Sequence, residues 1–568
     1  MKLLAVLIAY TQLTIRSDAA TYYVDVANSA PAAPYTNWLT AATNIQDAVD
    51  AAMPGALVLV TNGVYATGGR AMAGNLTNRV ALNKPITLKS CAGAEFTVIQ
   101  GQWDPTTTNG SLAIRCVWLT DFAVIDGFAL NNGATLSAGA NDLTSGGGVW
   151  CQKNNSTVIN CILSNNIAAY QGGGAAGGRL TNCILRGNRA FAEGGGACSN
   201  QLEQCILIEN SANGGAGAIY ATLNSCQLIK NQGGHQGGGA QNSILNNCLV
   251  VSNTANAGAG VIWSTLSNCV LSANSANNGG GAYGSTIINS IITNNLAVDS
   301  GAGAAGGTFN NCLFLGNQGA RGGGVWPGVL TNCTLVGNYA SQTGGGARGA
   351  TLYNCILWGN SSPVGANYYS DVTLRHTCSS PLAAGAGNIS STPLFADALT
   401  GGYRPQSNSP CINAGNNTYV SGTKDLGGSP RIKGGTVDIG AYEFQTPASV
   451  LSYAWAQQYG LPTDGTADMI DSDGDGMNNW QEWIASTIPT NTTSYLQMLT
   501  VSNSVSGAKV TWQSVSGKTY FMQRSTNLSM PPPFSSIQSN LTGQANTTSF
   551  TDTAATNDNS VFYRVGVQ

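Results

Sequence analysis

Charged residues are scarce in this sequence. Asp, Glu, Lys and Arg make up 9% of its 568 residues, where about a quarter is usual. The 26 acidic and 23 basic residues give a formal net charge of −3. This balance offers no basic surface for nucleic acid and no polybasic patch for an anionic membrane. We expect a surface made mainly of Asn, Ser, Thr and Gly.

Histidine is rarer still, with two residues, His235 and His376. His235 lies between glycine pairs, which is typical of a solvent-exposed corner. No Ser/His/Asp set, zinc site or phosphate loop is recognisable, and no pair of aspartates lies in the repeats described below. The sequence therefore assigns no catalytic residue.

Long apolar runs are lacking after the N-terminus. Lys2 precedes an apolar run from Leu3 to Ile15, and small residues follow up to Ala20. This pattern predicts a secretory signal peptide over residues 1–20, because the run is too short for a membrane anchor. We expect a secreted or cell-surface protein with no transmembrane segment in the mature chain.

One sequence motif is repeated ten times between residues 161 and 360. Cysteines recur every 21 or 22 residues, and Ser290 fills the one vacant place. In each copy, a large apolar residue lies two positions after the cysteine or serine, and an asparagine lies five positions after it. The cysteines are Cys161, Cys183, Cys205, Cys226, Cys248, Cys269, Cys312, Cys333 and Cys355; the asparagines are Asn166, Asn188, Asn210, Asn231, Asn253, Asn274, Asn295, Asn317, Asn338 and Asn360.

This period predicts a solenoid. The repeat core is rich in β-forming residues and glycine clusters would break a helix, so each period is expected to be one coil of a right-handed parallel β-helix. The apolar residues should point inward, the asparagines should form a hydrogen-bonded ladder, and the glycines should form corners. We expect the cysteines to be stacked, buried free thiols rather than disulfides or metal ligands. The sequence leaves open whether Cys378 and Cys411 form a disulfide.

Several segments resemble known families. Residues 44–55 and 58–65 resemble the entry segment of pectate-lyase-like proteins. The repeats resemble those of chlamydial polymorphic membrane proteins, and residues 21–444 resemble secreted β-helix proteins of planctomycete and verrucomicrobial bacteria. Residues 403–446 resemble a choice-of-anchor Q segment. These resemblances imply a β-helix with an N-terminal cap over 21–402, a C-terminal cap over 403–446, and export; they imply little about activity.

Residues 447–495 carry a calcium-binding pattern. Three aspartates alternate before a glycine, and a glutamate closes the loop, as in an EF-hand loop. The expected ligands are Asp471, Asp473, Asp475, the Met477 carbonyl, Asn479 and Glu482. We predict that calcium binds here as a structural ion. Residues 496–568 alternate in polarity and predict a small β-sandwich, similar to a fibronectin type III module.

Four aromatic residues follow the glycine corners of different coils: Tyr220, Trp263, Tyr283 and Trp326. They are candidates for a stripe that binds successive sugars of an uncharged glycan. Alternatively, they pack over glycine corners, since Tyr220 and Trp263 are one position out of step with the others. The expected partner is an extracellular polysaccharide or cell surface.

Three classes of function remain open from the sequence. The first is binding or adhesion by a secreted or surface-associated β-helix. The second is a polysaccharide lyase or glycosidase with an unrecognised site. The third is a structural component of a surface layer. The oligomeric state is not determined by the sequence.

Overall fold

The computed structural model describes residues 20–72, 74–398, 401–529, 531–555 and 560–568. The predicted signal peptide lies outside these residues, apart from Ala20. The described chain forms two compact units. The first comprises residues up to 330, 335–351 and 359–372; the second comprises residues 331–334, 352–358 and 373–568. In the described residues, no helix is long and apolar enough to cross a membrane.

The first unit is a parallel β-helix, which confirms the predicted fold class. Short strands recur in the regular coils and pair in parallel with their counterparts one period later; one series forms a sheet after the cysteines, another forms the side strands, and two series form the long sheet. The series after the cysteines forms what we call the leucine sheet. Its strands in this unit are Gly63–Tyr65, Thr97–Gln100, Ala129–Asn131, Ile162–Ser164, Ile184–Arg186, Ile206–Ile208, Gln227–Ile229, Leu249–Val251, Val270–Ser272, Ile291–Thr293 and Leu313–Leu315.

The side strands and the long sheet complete the coils of the first unit. The side strands are Ile167–Ala168, Arg189–Ala190, Ser211–Gly214, Gln232–Gln236, Ser275–Asn278, Leu296–Ser300, Gln318–Arg321 and Tyr339–Thr343. The long sheet contains Thr21–Val24, Leu57–Val60, Arg70–Ala71, Thr77–Leu82, Thr87–Ser90, Ile114–Leu119, Val124–Asp126, Val149–Cys151, Thr157–Ile159, Ala175–Ala176, Arg179–Thr181, Ala197–Cys198, Gln201–Glu203, Ala218–Ile219, Thr222–Asn224, Ala240–Gln241, Ile244–Asn246, Val261–Ile262, Thr265–Ser267, Ala282–Ile288 and Ala304–Asn310. Strands Gly328–Thr331, Thr334–Val336 and Ala350–Tyr353 contribute residues to both units.

The core of the first unit consists of stacked identical positions. Leu163 pairs with Leu185, which pairs with Leu207, and none of the three is exposed. In the long sheet, Ala218, Ala240 and Ala282 lie in a second buried column. The residue directly after the cysteine is half-buried in the first three repeats, at Ile162, Ile184 and Ile206, and buried in the last three, at Leu313, Thr334 and Ile356. The helix Ile45–Ala51 begins at Asn44, whose side chain caps it, and a second short helix spans Asn141–Thr144.

The asparagines form the predicted ladder. The side-chain amide of Asn188 donates to Oδ1 of Asn210 at 3.0 Å and to the Leu163 carbonyl at 2.9 Å. Oδ1 of Asn210 also accepts from the backbone N–H of Asn188 at 3.0 Å. The same pattern is repeated from Asn166 to Asn360. Each buried amide therefore donates to the coil before it and to the coil after it.

The cysteines also form a column. The Cys205 thiol donates to the Glu203 carbonyl at 3.3 Å, and the sulfur of Cys226 accepts from the backbone N–H of Cys205 at 3.4 Å. Ser290 takes the same place, because its hydroxyl accepts from the N–H of Cys269 at 3.0 Å. The column members that are free, buried thiols include Cys161, Cys183, Cys205, Cys226, Cys248 and Cys269. The serine fits because the position requires a small group that both accepts and donates.

The second unit begins with coil strands and continues into irregular segments and three small antiparallel sheets, the first formed by Phe395–Asp397 and Gly402–Pro405. Ile356–Trp358 pairs in parallel with Cys378–Ser379. Cys378 and Cys411 pack in one buried cluster as separate thiols, so they are unbridged in this structure. The remaining elements are strands Thr373–Arg375, Phe395–Asp397 and Gly402–Pro405, and helices Tyr453–Gln458 and Asn479–Ala485.

The C-terminal residues form two three-stranded antiparallel sheets. One contains Met498–Ser504, Gly507–Ser514 and Asn546–Asp552, and the other contains Thr519–Ser525, Ser535–Thr542 and Phe562–Val567. Trp512 of the first sheet contacts Tyr520 of the second, edge to face, with ring centroids 5.9 Å apart. Both rings are fully buried. The alternation predicted from the sequence thus places one face of each sheet against the other.

Buried charges hold the segment predicted as the C-terminal cap. Asp425, Asp438 and Glu443 are buried, and each accepts backbone N–H groups. Arg431, also buried, donates to the carbonyls of Asp438 and Gly440 at 2.9 and 2.7 Å. Three carboxyl groups and one guanidinium are therefore buried together and interact through their charges, so the protonation of this cluster affects the stability of the fold.

This cluster predicts a pH-dependent stability. Burial raises the pKa of Asp438 to about 7 and the pKa of Glu443 to about 8, from about 4 in an unfolded chain. The folded state binds protons that the unfolded state releases, so this contribution is full below about pH 4 and is lost as pH rises through 7 and 8. We expect the urea midpoint of unfolding to fall between about pH 6 and about pH 8.5. A midpoint that rises over this range would contradict the assignment.

The thiol column gives a second prediction, tested by alkylation. When the unreduced protein is unfolded in denaturant and treated with a maleimide, most of the nine repeat cysteines should react, because they are packed as thiols. Mass spectrometry of the labelled peptides identifies them. Near-complete absence of label on the nine peptides would show that the column is bridged or metal-bound.

Candidate functional site

A groove lies along the first unit beside the side strands. It consists of two depressions of about 330 and about 520 Å³ that share Gln236. The smaller is lined by Tyr170, Glu193, Asn213, His235 and Gln241, among others. The larger is lined by residues that include Trp263, Asn278, Tyr283, Asp299, Ser300 and Trp326. From Tyr170 to Trp326 the groove crosses eight coils, or about 34 Å at the usual spacing of strands.

The register of the coils decides which aromatic residues share the groove. Tyr283 pairs with Ala305, and Trp326 follows in the same column one coil later. Trp263 lies in the adjacent column, next to Ile262, which pairs with Tyr283. Tyr220 lies in the column of Trp263, two coils away, and is half exposed. Three of the four aromatic residues suggested by the sequence therefore line the larger depression, and Tyr220 lines neither.

The two tryptophans also cover glycines, as the alternative interpretation predicted. A Cβ atom at Gly284 would lie 2.9 Å from Cδ1 of Trp263, so this ring covers a position that must lack a side chain. Gly284 has a positive φ of 56°, which favours glycine in any case. A Cβ atom at Gly349 would lie 3.1 Å from the Trp326 ring. The two interpretations are compatible, because a ring can pack on a glycine and still line the groove.

Arginines hold Trp326 in place. The guanidinium carbons of Arg321 and Arg348 lie 4.7 and 5.2 Å from the centre of its ring, within cation–π distance. Arg321 forms an ion pair with Asp299, and Arg348 lies 3.6 Å from Asp371. Each guanidinium is therefore neutralised by a carboxylate. The result is a fixed ring without a free positive charge.

The smaller depression presents polar atoms. Oε2 of Glu193 accepts from the side-chain amide of Gln171 at 2.8 Å, and His235 is exposed at the rim. Gln241 is almost fully buried. The charged residues among the described lining residues of the whole groove are Glu193 and Asp299. The sequence did not single out these residues as site residues, nor Asn278 and Ser300, because polar residues are frequent on every coil.

The predicted calcium loop brings its three aspartates together in the second unit. One oxygen from each of Asp471, Asp473 and Asp475 lies within 4.8 Å of the others. Backbone N–H groups of Gly474 and Gly476 donate to the Asp471 carboxylate at 2.8 and 2.9 Å, which lowers its pKa. Both glycines have positive φ values, so the loop can turn tightly around the aspartates.

The remaining predicted ligands sit at the start of the next helix. Asn479 and Glu482 belong to helix Asn479–Ala485, which begins with a capping box formed by Asn478 and Gln481. Glu482 is fully buried. Its burial, with the charges of Asp473 and Asp475, raises its pKa to about 7. The Met477 backbone lies between these groups, and its N–H donates to Asp475 at 2.8 Å.

The loop fits a cation better than it fits water. Oδ2 of Asp473, Oδ2 of Asp475 and Oε2 of Glu482 are buried without a hydrogen-bond partner in the described part of the chain. Oδ1 of Asn479 is also buried without a hydrogen-bond partner among the described residues. Buried oxygens with no donor are costly, whereas calcium takes six to eight oxygens at about 2.3–2.6 Å. These residues are therefore a suitable donor set for calcium.

Comparisons with known proteins show resemblance in fold. Neither a protein-family model nor a curated protein matches this chain. Among solved structures, pectate lyase Pel9A is 15% identical, with a TM-score of 0.27, over 75% of this chain and 96% of that one. The PL6 family alginate lyase AlyGC is 13% identical, with a TM-score of 0.30, over 71% and 58%. A mannuronic acid specific family 6 lyase from human gut microbiota is 10% identical, with a TM-score of 0.29, over 61% and 88%. The chain is thus similar to β-helix proteins whose names refer to polysaccharide lyases.

Proposed function

We propose that this protein is a secreted or cell-surface β-helix that binds an uncharged glycan in its groove and carries a structural calcium ion. The observation that supports glycan binding is the larger depression. Trp263, Tyr283 and Trp326 line it together with the polar side chains Asn278 and Ser300. Aromatic surfaces pack against the apolar faces of sugars, and amide and hydroxyl groups exchange hydrogen bonds with sugar hydroxyls.

The charges of the groove favour an uncharged ligand. Glu193 has no ion pair among the described residues, and Asp299 is neutralised by Arg321. A polymer with a carboxylate on each sugar would bring many negative charges towards these carboxylates, with no free cation in the lining to offset them. Hydroxyl groups, in contrast, can donate to Glu193 and Asn278.

The same residues favour binding over hydrolysis. Glycosidases use two carboxyl groups about 5–10 Å apart. Glu193 and Asp299 are separated by five coils, or about 24 Å. A carbohydrate-active enzyme remains the alternative function, and its site would have to use groups other than this pair.

Calcium would join the loop to the C-terminal sheets. The sulfur of Met477 lies 3.3 Å from the backbone nitrogen of Leu496, and the Lys518 ammonium donates to the Ile484 carbonyl at 2.8 Å. The first contact connects the loop, and the second connects the helix that carries Glu482, to residues of the C-terminal module. An ion bound by Asp471, Asp473, Asp475, Asn479, Glu482 and the Met477 carbonyl would fix this helix, which is a structural role.

The groove proposal predicts that Trp263→Ala weakens glycan binding. An aromatic residue at the centre of a binding surface commonly contributes more than about 1 kcal/mol, so we expect at least a roughly fivefold loss of affinity. A glycan array identifies a ligand for the wild type, and titration calorimetry measures the variants.

Tyr220→Ala is the matched control for this experiment. Tyr220 is an exposed aromatic residue in the same column as Trp263 but outside the groove, so its removal should leave affinity unchanged. Equal losses in both variants, with intact thermal unfolding, would show that the groove is not the binding surface. Loss of folding in Trp263→Ala alone would indicate that its packing on Gly284 is its main role.

The calcium proposal predicts micromolar to millimolar binding in the wild type, the range of single extracellular loops and sensors. Asp473→Ala should lower this affinity at least about tenfold, because it removes a charged ligand. Calorimetry measures binding. Thermal unfolding of the C-terminal module should shift upward with calcium in the wild type, since a ligand bound to the folded state stabilises it.

Asp464→Ala serves as the control for the calcium loop. Asp464 is an exposed aspartate seven residues before the loop, and its carboxylate bonds only locally to Thr466. Its substitution should leave calcium affinity unchanged. If calorimetry detects no calcium binding at millimolar concentrations in the wild type, the loop is not a calcium site.

A further inference from the structure

The groove has a straight floor and a two-coil period, and both bear on the shape of its ligand. Resting on the glycan-binding function proposed above, we infer that the groove takes a straight glycan whose successive sugars alternate by half a turn, as in β-1,4-linked chains. Glycans that coil, such as α-1,4-linked chains of the same sugar, fit it poorly. The inference concerns linkage geometry, and the proposed function does not depend on it.

The straightness follows from the register of the long sheet. In the column beside the groove, Gln241 pairs with Ile262, Ile262 with Tyr283, and Tyr283 with Ala305. No residue is inserted or skipped at these steps. Stacked side-chain ladders are the circumstance in which a sheet stays flat instead of twisting. A ligand lying along this column is therefore held to a line, and a coiling chain would leave it after a few sugars.

The period follows from which coils carry rings. Tyr283 and Trp326 line the groove in one column, two coils apart, with Ala305 between them. Arg348 and Tyr369 continue this column beyond the residues that line the groove. Two coils correspond to about 10 Å. In a chain that turns by half a revolution per sugar, every second sugar presents the same side to a fixed surface. The small side chain of Ala305 leaves room for the sugar that faces the other way.

The rings at one end of this series are held rigidly. The guanidinium of Arg348 lies between Trp326 and Tyr369, at 5.2 and 4.9 Å from their ring centres. Tyr283 has no such contact among the described residues and is about one-third exposed. It is consequently the ring whose removal should change ligand binding with the least effect on the fold. Preorganised neighbours reduce the entropy lost on binding.

The test compares glycans that differ in linkage alone. Cellohexaose and maltohexaose each contain six glucose units and no charge, so any difference in affinity reports the shape of the chain. β-1,4-linked mannohexaose and chitohexaose provide further straight chains. Calorimetry with the full-length protein should show at least one straight chain binding about tenfold more tightly than maltohexaose, which corresponds to about 1.4 kcal/mol. Tyr283→Ala should remove this advantage, and Tyr220→Ala should retain it.

The outcomes separate this inference from the proposed function. If maltohexaose binds as tightly as the straight chains, and Tyr283→Ala weakens all of them, the groove binds glycans but does not select their shape. The inference is then overturned and the function stands. If a folded protein binds none of these glycans and no other uncharged glycan on an array, the proposed function fails, and the inference fails with it.

Discussion

The asparagine ladder is the interaction on which the first unit depends. Each side chain from Asn166 to Asn338 is buried, and its amide donates to the next asparagine and to a backbone carbonyl. An unsatisfied buried amide costs about 1–3 kcal/mol, and a slip of one residue would leave several unsatisfied at once. The ladder therefore fixes the register of the coils from Asn166 to Asn360. The leucine and thiol columns follow from that register, since identical positions must then stack.

The groove is a consequence of the same constraint. Stacking converts a distance in sequence into a distance in space, so residues one period apart lie one strand spacing apart. The inward columns repeat the same small, apolar or asparagine side chains, but the outward columns can vary. Tyr283 and Trp326 occur at outward positions without disturbing the buried Ala282 and Val325 beside them. Glycines such as Gly284 give the neighbouring rings space to lie close to the backbone.

The second unit shows two ways of burying carboxylates. In the cap, Asp425, Asp438 and Glu443 are stabilised by backbone N–H groups and by Arg431. In the calcium loop, the carboxylates of Asp473, Asp475 and Glu482 each retain an oxygen without a donor. In the cap, both oxygens of each carboxylate accept a backbone N–H group, and the buried atoms of this cluster without a partner among the described residues are Nε and Nη1 of Arg431. In the loop, the atoms without a partner are oxygens, which is the physical reason for assigning it a cation.

The sequence by itself determined the fold class of the repeats, because their period and glycine corners are compatible with few other structures. It also predicted the asparagine ladder and the grouping of Asp471, Asp473 and Asp475 in one loop, since local spacing carries that information. Tertiary structure alone decided which aromatic residues act together. Tyr220 resembles Trp263 in sequence context, yet only Trp263 lines the groove, and Tyr369 joins the column beyond the last regular repeat. The buried cluster around Arg431 was equally invisible, because its carboxylates come from separate turns. Such groupings depend on register and chain path between distant residues, and local spacing does not encode them.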